Sequence, residues 1–444
     1  VISAPSAVYG NLAVNFASEM VVFAQPDQCR SGNRVCRAKS NSALLEYIEN
    51  RVEFSDKSGL GLFIVSKAGC PLQREANGRI AMIYQQPLPS PYPTLDDAEL
   101  TSRIVAAKAK LGDSVVILTH HYQRPEIVAL GDMRGDSLKL AQFAAAQEKS
   151  KYIVYCGVHF MAESADILKR GQQVVVLPDL GAGCDMADMA DADDVELAWD
   201  ELVSVLGHES IMPVTYINST AALKAFVGKK GGVVCTSSNA ENIVRWSLEQ
   251  RQAIFFFPDQ HLGRNTCKRL GYTPESMLLW KPGVPLGGQA PERMRDSRIF
   301  LWEGHCPVHA MFTLKQISAL RAQDSAIKII THPECPMEVV DESDAVGSTE
   351  FIVKTIAESP AGSKWAVGTE MNLVNRIAKE NPDKTVVSLN RFMCLCGTMN
   401  RIDLAHLAWA LESIVSGHPE NVITVGEPER SLARASLDRM LTMS

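Results

Sequence analysis

Three times along this chain an apolar run that reads as a buried strand ends in a loosened turn carrying a thiol. Residues 174–189 (VVVLPDLGAGCDMADM) present Cys184, residues 298–309 (RIFLWEGHCPVH) present Cys306, and residues 385–399 (TVVSLNRFMCLCGTM) present Cys394 and Cys396. No other feature restricts the fold as much. Three strand ends, each followed by a thiol, call for one shared site and for three similar units facing it.

The surrounding pattern agrees. From residue 96 a helix (DDAELTSRIVAAKAKLG), with an acidic first turn and a stop at Gly112, precedes SVVILTHHYQ, a strand running into a loop. A helix from Asp136, the strand KYIVYCG, the helix MAESADILKRG and the strand leading to Cys184 complete a βαβαβ unit, which predicts a parallel sheet. The order repeats with SIMPVTYINST, AALKAFVG, VVCTSSNA, AENIVRWSLEQ and AIFFFPDQHLG, then a long irregular insertion ending at Cys306. A third copy runs through KIITHPEC, a helix beginning near Ser348, WAVGTE, MNLVNRIAKEN and TVVSLN. RIDLAHLAWALESIVSG and the tail read as helices packed outside.

Residues 1–95 lie outside this rhythm. LAVNFASEMVVFA and GLGLFIVSKA read as strands, SALLEYIENRV as a short helix, and the cluster Pro87, Pro89, Pro91 and Pro93 as a linker. The expected organisation is therefore an extension and linker over 1–95, α/β repeats over 96–190, 191–310 and 311–400, and C-terminal helices over 401–444.

Composition removes other classes. With 21% charged residues and a formal charge of −7 there is no basic excess for nucleic acid, and the longest apolar runs fall far short of the ~20 residues a membrane span needs. Eleven irregularly spaced cysteines in 444 residues do not form a secreted disulfide framework, so an intracellular, reducing compartment is expected.

Open parallel sheets bind ligands beyond the carboxyl ends of their strands. The first strand of each copy ends in a polar cluster: Thr119-His120-His121-Tyr122-Gln123, Thr215-Tyr216-Ile217-Asn218 and Thr331-His332-Pro333-Glu334-Cys335. The second strands are read as ending in Gly157-Val158-His159, Thr236-Ser237-Ser238-Asn239 and Gly368-Thr369-Glu370. Three such edges turned inward make one central cavity. Its thiols, Cys184, Cys306 and Cys396, suit an iron–sulfur cluster better than a structural zinc, and three ligands on four irons leave one iron open as a Lewis acid. Cys156 and Cys235, inside apolar strands, read as small buried hydrophobes; Cys29, Cys36 and Cys70 read as unliganded thiols, and Cys335 and Cys394 stay unassigned. His120, Tyr122, His332 and Glu334 make a general acid/base set. Gly135-Asp136-Ser137, Ser237-Ser238-Asn239 and Gly347-Ser348-Thr349 offer hydroxyls and free N–H groups at helix starts, which suits a polyanionic substrate. A cluster-carrying redox sensor would need the thiols but not this acid/base set; an aconitase-like dehydratase shares the open iron and is separated only by substrate chemistry.

The motifs resemble those of the quinolinate synthase family: HHYQ (120–123), GDS (135–137), AGCDMADM (182–189), TYIN (215–218), CTSSNA (235–240), PDQHLG (258–263), GHCPVH (304–309), HPEC (332–335), GST (347–349), GTE (368–370) and CGTM (396–399). The resemblance covers about 96–420; long, plant-like members carry extra N-terminal sequence. It implies three similar three-layer α/β domains with parallel sheets, arranged pseudo-threefold around a central [4Fe-4S] cluster on Cys184, Cys306 and Cys396. It implies condensation of iminoaspartate with dihydroxyacetone phosphate to quinolinate, with loss of phosphate and water, on the route to NAD. Substrate-binding positions would be His120, Ser137, Tyr216, Asn218, Ser237, His332, Glu334 and Thr349, with Tyr122 and Glu334 transferring protons. L-aspartate oxidase and iron–sulfur assembly proteins are the implied partners, and cytoplasm or plastid stroma the implied location. Two departures stand out: His121 replaces an Asn common in the family, and CLCGTM lacks the usual proline and asparagine after the last cysteine.

Overall fold

The computed structural model describes residues 85–391 and 395–443, and upstream of these only four short strands. β1 (Met20–Val22) and β2 (Phe63–Val65) pair antiparallel, inside the two runs read as strands; β3 (Leu72–Arg74) and β4 (Ile80–Met82) form a second antiparallel pair. The helix expected at SALLEYIENRV, together with Cys29, Cys36, Cys70 and Cys394, lies outside the described residues. The chain divides into two units, Val1–Cys70 and Pro71–Ser444, and all that follows concerns the second.

That unit contains three mainly parallel sheets. The first holds β5 (Val115–His120), β6 (Met133–Gly135), β7 (Tyr152–Cys156) and β8 (Val174–Val176) in the spatial order β8-β7-β5-β6. The second holds β9 (Ile211–Tyr216), β10 (Val233–Cys235), β11 (Ala253–Phe257) and β13 (Ile299–Trp302) in the order β13-β11-β9-β10. In the third, β14 (Lys328–Thr331), β15 (Ala345–Val346), β16 (Lys364–Gly368) and β17 (Thr385–Ser388) lie as β17-β16-β14-β15. Numbered along the chain, each copy is therefore 4-3-1-2, and every pairing within these sets is parallel.

Helices cover both faces, as buried parallel strands require. In the third sheet the pleat alternates: Ile329 packs with Ile317, Leu320 and Val339 on one side, and Ile330 with Ile352, Ile356 and Ile377 on the other.

Four local expectations are corrected. The loop after β5 contains a helix, Pro125–Leu130, and then β6, whose three residues Met-Arg-Gly carry no apolar run to announce a strand. The second strand of copy one is thus β6, not KYIVYCG, and that of copy three is β15, not WAVGTE. The insertion before Cys306 is regular: helix Gln260–Arg269, strand β12 (Met277–Trp280) beside β13, and helix Pro291–Asp296. The tail is not purely helical, because β18 (Val422–Ile423) joins the first sheet antiparallel to β8 between helices Leu404–Val415 and Glu429–Thr442. The proline-rich stretch is no free tether: Tyr92 is buried and its hydroxyl bonds the Glu412 carboxylate. Helix Glu429–Thr442 packs on helix Ala221–Lys229 so closely that a Cβ on Gly228 would sit 1.9 Å from the Leu432 carbonyl oxygen.

Candidate active site

The β ladders put the three copies in register residue by residue. His120 lies opposite Gly135 and Tyr216 opposite Cys235; Thr331 lies opposite Val346, which places His332 against Gly347. On the other flank Thr119, Thr215 and Thr331 face Cys156, Phe257 and Gly368. His120, Tyr216 and His332 are thus one position seen three times. Two residues on come Tyr122, Asn218 and Glu334. Two residues past the second strand's pairing partner come Ser137, Ser237 and Thr349.

The thiols follow the same rule. A 3-10 turn begins three residues after each: Ala187–Met189, His309–Met311 and Met399–Arg401. A backbone N–H four residues on returns to each cysteine carbonyl, Asp188 to Cys184 at 3.1 Å, Ala310 to Cys306 at 2.9 Å and Asn400 to Cys396 at 3.0 Å. All twelve residues of these four triples line a single cavity.

Five residues that sequence reasoning did not assign join them at or behind the wall. Asp136 caps helix Ser137–Ala146 through the Lys139 N–H and accepts a 2.5 Å bond from the Ser238 hydroxyl, fastening the first copy to the second. Glu370 caps helix Met371–Glu380 and accepts the Cys396 N–H at 3.4 Å; burial pushes its carboxyl up to about 7. Asp259, the equivalent cap in the second copy, accepts the N–H groups of His261 and Leu262 and is also pushed up, by burial and then by the Glu334 charge. His309 and Thr369 matter most. The Cys-x-x-His spacing of GHCPVH is the one sequence signal for His309.

These groups follow one another in a line of close contacts. Glu334 accepts a 2.6 Å hydrogen bond from the Tyr216 hydroxyl, and its other carboxylate oxygen lies 2.8 Å from Nδ1 of His309. Nε2 of His309 lies 3.1 Å from the Thr369 hydroxyl, which lies 2.6 Å from the Tyr122 hydroxyl. His332 stacks on His309 with ring centroids 4.7 Å apart. A carboxylate, an imidazole and two hydroxyls in line can pass a proton along their length.

Burial sets the protonation states. It drives both His120 and His332 down to about 3, so each is neutral near pH 7. Their Nδ1 atoms accept the backbone N–H two residues on, Tyr122 at 3.2 Å and Glu334 at 3.4 Å, which leaves the proton on Nε2. Burial and then the Glu334 charge raise the Tyr122 and Tyr216 hydroxyls well above their ordinary value, which keeps both as proton donors. For Glu334 itself burial acts upward, but the neighbouring His309 and the bond from the Tyr216 hydroxyl outweigh it and hold the carboxyl down.

Burial likewise pushes the thiols of Cys184, Cys306 and Cys396 up, and each of the first two feels the charge of Cys396. Among the described residues these are the cysteines that line the cavity, while Cys156, Cys235, Cys267 and Cys335 are buried elsewhere. Three soft donors from three walls suit a thiolate-ligated metal centre. A second possible donor set, Cys306, His309 and Glu334, offers ligand atoms within 4.8 Å of one another. Beside the cavity His121 joins two copies, with Nε2 2.9 Å from Glu350 and Nδ1 2.9 Å from the Arg376 guanidinium.

Comparison with known proteins agrees with this geometry. Residues 102–442 match the family model described as "Quinolinate synthetase A protein". A protein named quinolinate synthase from Herpetosiphon aurantiacus is 53% identical over 356 residues, covering 80% of this chain and 95% of its own length. Those of Corynebacterium glutamicum (50% over 359 residues, 81% and 91%) and Anoxybacillus flavithermus (51% over 354 residues, 80% and 96%) bear the same name. The matched span holds all three sheets, all twelve cavity residues and the Glu334–His309–Thr369 chain, and on that basis the chain is an enzyme that belongs to the quinolinate synthase family.

Proposed function

We propose that this chain condenses iminoaspartate with dihydroxyacetone phosphate to quinolinate, releasing phosphate and water, in NAD biosynthesis. The observation that carries the reading is the register: every residue expected at the site falls on one of four threefold-equivalent positions, and all of them line one cavity. It supports a pseudo-threefold arrangement of the three sheets around that cavity. The donor set fits a [4Fe-4S] cluster held by Cys184, Cys306 and Cys396, which when bound supplies a Lewis-acidic iron.

The chain's own residues do the rest. Ser137 and Thr349, the first residues of their helices, and Ser237, in the turn just before helix Ala240–Gln250, bind the carboxylate and phosphate groups, where free N–H groups and the helix dipole favour negative charge. His120 and His332 are neutral and donate from Nε2 to substrate oxygen, and Asn218 and Tyr216 orient it. Condensation and aromatisation remove protons from carbon and deliver them to leaving oxygen. Glu334 accepts such protons through His309, and Tyr122, next to Thr369, returns them.

The test is an anaerobic assay of cluster-reconstituted protein with iminoaspartate and dihydroxyacetone phosphate, following quinolinate and phosphate together. Equal amounts of both products are expected. Full activity from iron-free protein, or phosphate release without quinolinate, overturns the reading.

A further inference from the structure

Cys306, His309 and Glu334 belong to the chain of groups described above, yet their geometry suits a second task. Nδ1 of His309 is buried, makes no hydrogen bond, and lies 2.8 Å from a Glu334 oxygen, with the Cys306 sulfur no more than 4.8 Å from either ligand atom. With its proton on Nδ1, His309 is a relay. With the proton on Nε2, donated to the Thr369 hydroxyl 3.1 Å away, the same three residues turn lone pairs on one another.

We propose that in protein lacking its cluster these three side chains form a mononuclear site for a borderline divalent cation, zinc above all. Bond lengths of about 2.3 Å to sulfur and about 2.0–2.2 Å to nitrogen and oxygen space tetrahedral ligands roughly 3.3–3.7 Å apart. Reaching that spacing from the present positions takes side-chain shifts of about an ångström. A thiolate and a carboxylate cancel the charge of a divalent ion, so the filled site is neutral, as a buried site must be. The proton leaves the Cys306 sulfur as the metal–sulfur bond forms; no oxidant or reductant is needed.

The outer partners are in place. The Tyr216 hydroxyl holds Glu334 at 2.6 Å and Thr369 fixes the far ring nitrogen of His309, the two supports that metal-binding carboxylates and imidazoles generally have. Two ligands come from one turn, three residues apart, and the third from another copy, so the ion would pin β13's loop to β14's loop. The fourth position faces the cavity. Cys306 cannot serve this ion and a cluster at once, so a captured ion is a dead end that blocks both assembly and proton transfer.

The experiment uses the full chain, prepared anaerobically without cluster and stripped of metal, titrated with Zn²⁺ against a chromogenic chelator and separately with Co²⁺. One ion per chain is expected, with Co²⁺ giving a thiolate charge-transfer band and tetrahedral d–d absorption that vanish in Cys306→Ser. Cys184→Ser and Cys396→Ser should keep zinc affinity within about threefold, whereas His309→Gln and Glu334→Gln should lose tenfold or more. Metal-free thermal melts select the variants that fold like the parent for comparison. Affinity that falls with Cys184 and Cys396 but not with His309 and Glu334, or no stoichiometric binding, overturns the proposal. A second arm rests on the cluster reading: zinc-loaded protein given iron and sulfide should form no cluster until a chelator is added. If untreated protein also forms none, the cluster reading fails while the zinc titration stands by itself.

Discussion

The second copy differs from the other two at two equivalent positions. Where the first and third present a neutral imidazole at the end of their first strand, His120 and His332, the second presents Tyr216. Where the turns after Cys184 and Cys396 carry Ala187 and Met399, the turn after Cys306 carries His309. The backbone repeats threefold and the side chains do not. The function proposed above would use both: shared register to bring three thiols to one centre, unlike side chains to handle an unsymmetrical substrate.

The sharpest break of this contrast concerns the shared thiols. Cys184→Ser, Cys306→Ser and Cys396→Ser should each abolish a stable cluster, because a hydroxyl is a poor ligand for iron, while Cys394→Ser should be mild; anaerobic iron and sulfide content measures this. A Cys394→Ser protein that loses its cluster while Cys396→Ser keeps it would move the third ligand.

Next comes the unshared position. His309→Ala, Glu334→Gln and Tyr122→Phe should each lower turnover per cluster by roughly a hundredfold or more, the usual scale for losing a general acid or base. Met399→Leu, a volume-conserving change at the equivalent place, should cost no more than about threefold. Equal losses at His309 and Met399 in steady-state kinetics would mean that the turn matters only as scaffold.

A smaller effect is expected where the copies agree. Ser137→Ala, Ser237→Ala and Thr349→Val should each raise KM about five- to tenfold with little change in kcat, the scale of one hydrogen bond to a charged ligand. If one of the three carried the whole effect, the anion site would belong to one wall.

The smallest effect lies at the seam between the first and third copies. The hydrogen bond from His121, then the Lys139 ammonium, holds the Glu350 carboxyl down to about 2. A group depressed in the folded state adds stability above its unfolded value, near 4.5, and that stability is lost as pH falls from about 4.5 towards 2. Glu350→Gln should therefore flatten the fall of Tm across that window, modestly, because the side chain is 42% exposed. An unchanged slope would assign the acid sensitivity of this seam to other groups.

The parts legible in the sequence were those announced locally. Long apolar runs such as Val115–His120 and Ala253–Phe257 gave the strands, and most of the twelve cavity residues follow such a run closely, Ser137 and Thr349 being the exceptions. What stayed hidden depends on pairing between distant residues. β6 is Met-Arg-Gly and β15 only two residues long, so the ladder rather than the sequence makes them strands. Missing them shifted the match between copies, setting VVCTSSNA beside KYIVYCG and WAVGTE when its true counterparts are β6 and β15. Thr369 is hidden for a related reason: it acquires a role only from the approach of His309 across copies.

The antiparallel strand Val422–Ile423 has a consequence for how the molecule is made. It completes the edge of the first sheet, beside Val175 and Val176, but it follows the third sheet along the chain. Helix Glu429–Thr442, which braces the second copy through Gly228, comes later still. During synthesis, therefore, the first copy must wait with one edge unpaired until all three have emerged from the ribosome, and an exposed strand edge invites pairing with other chains.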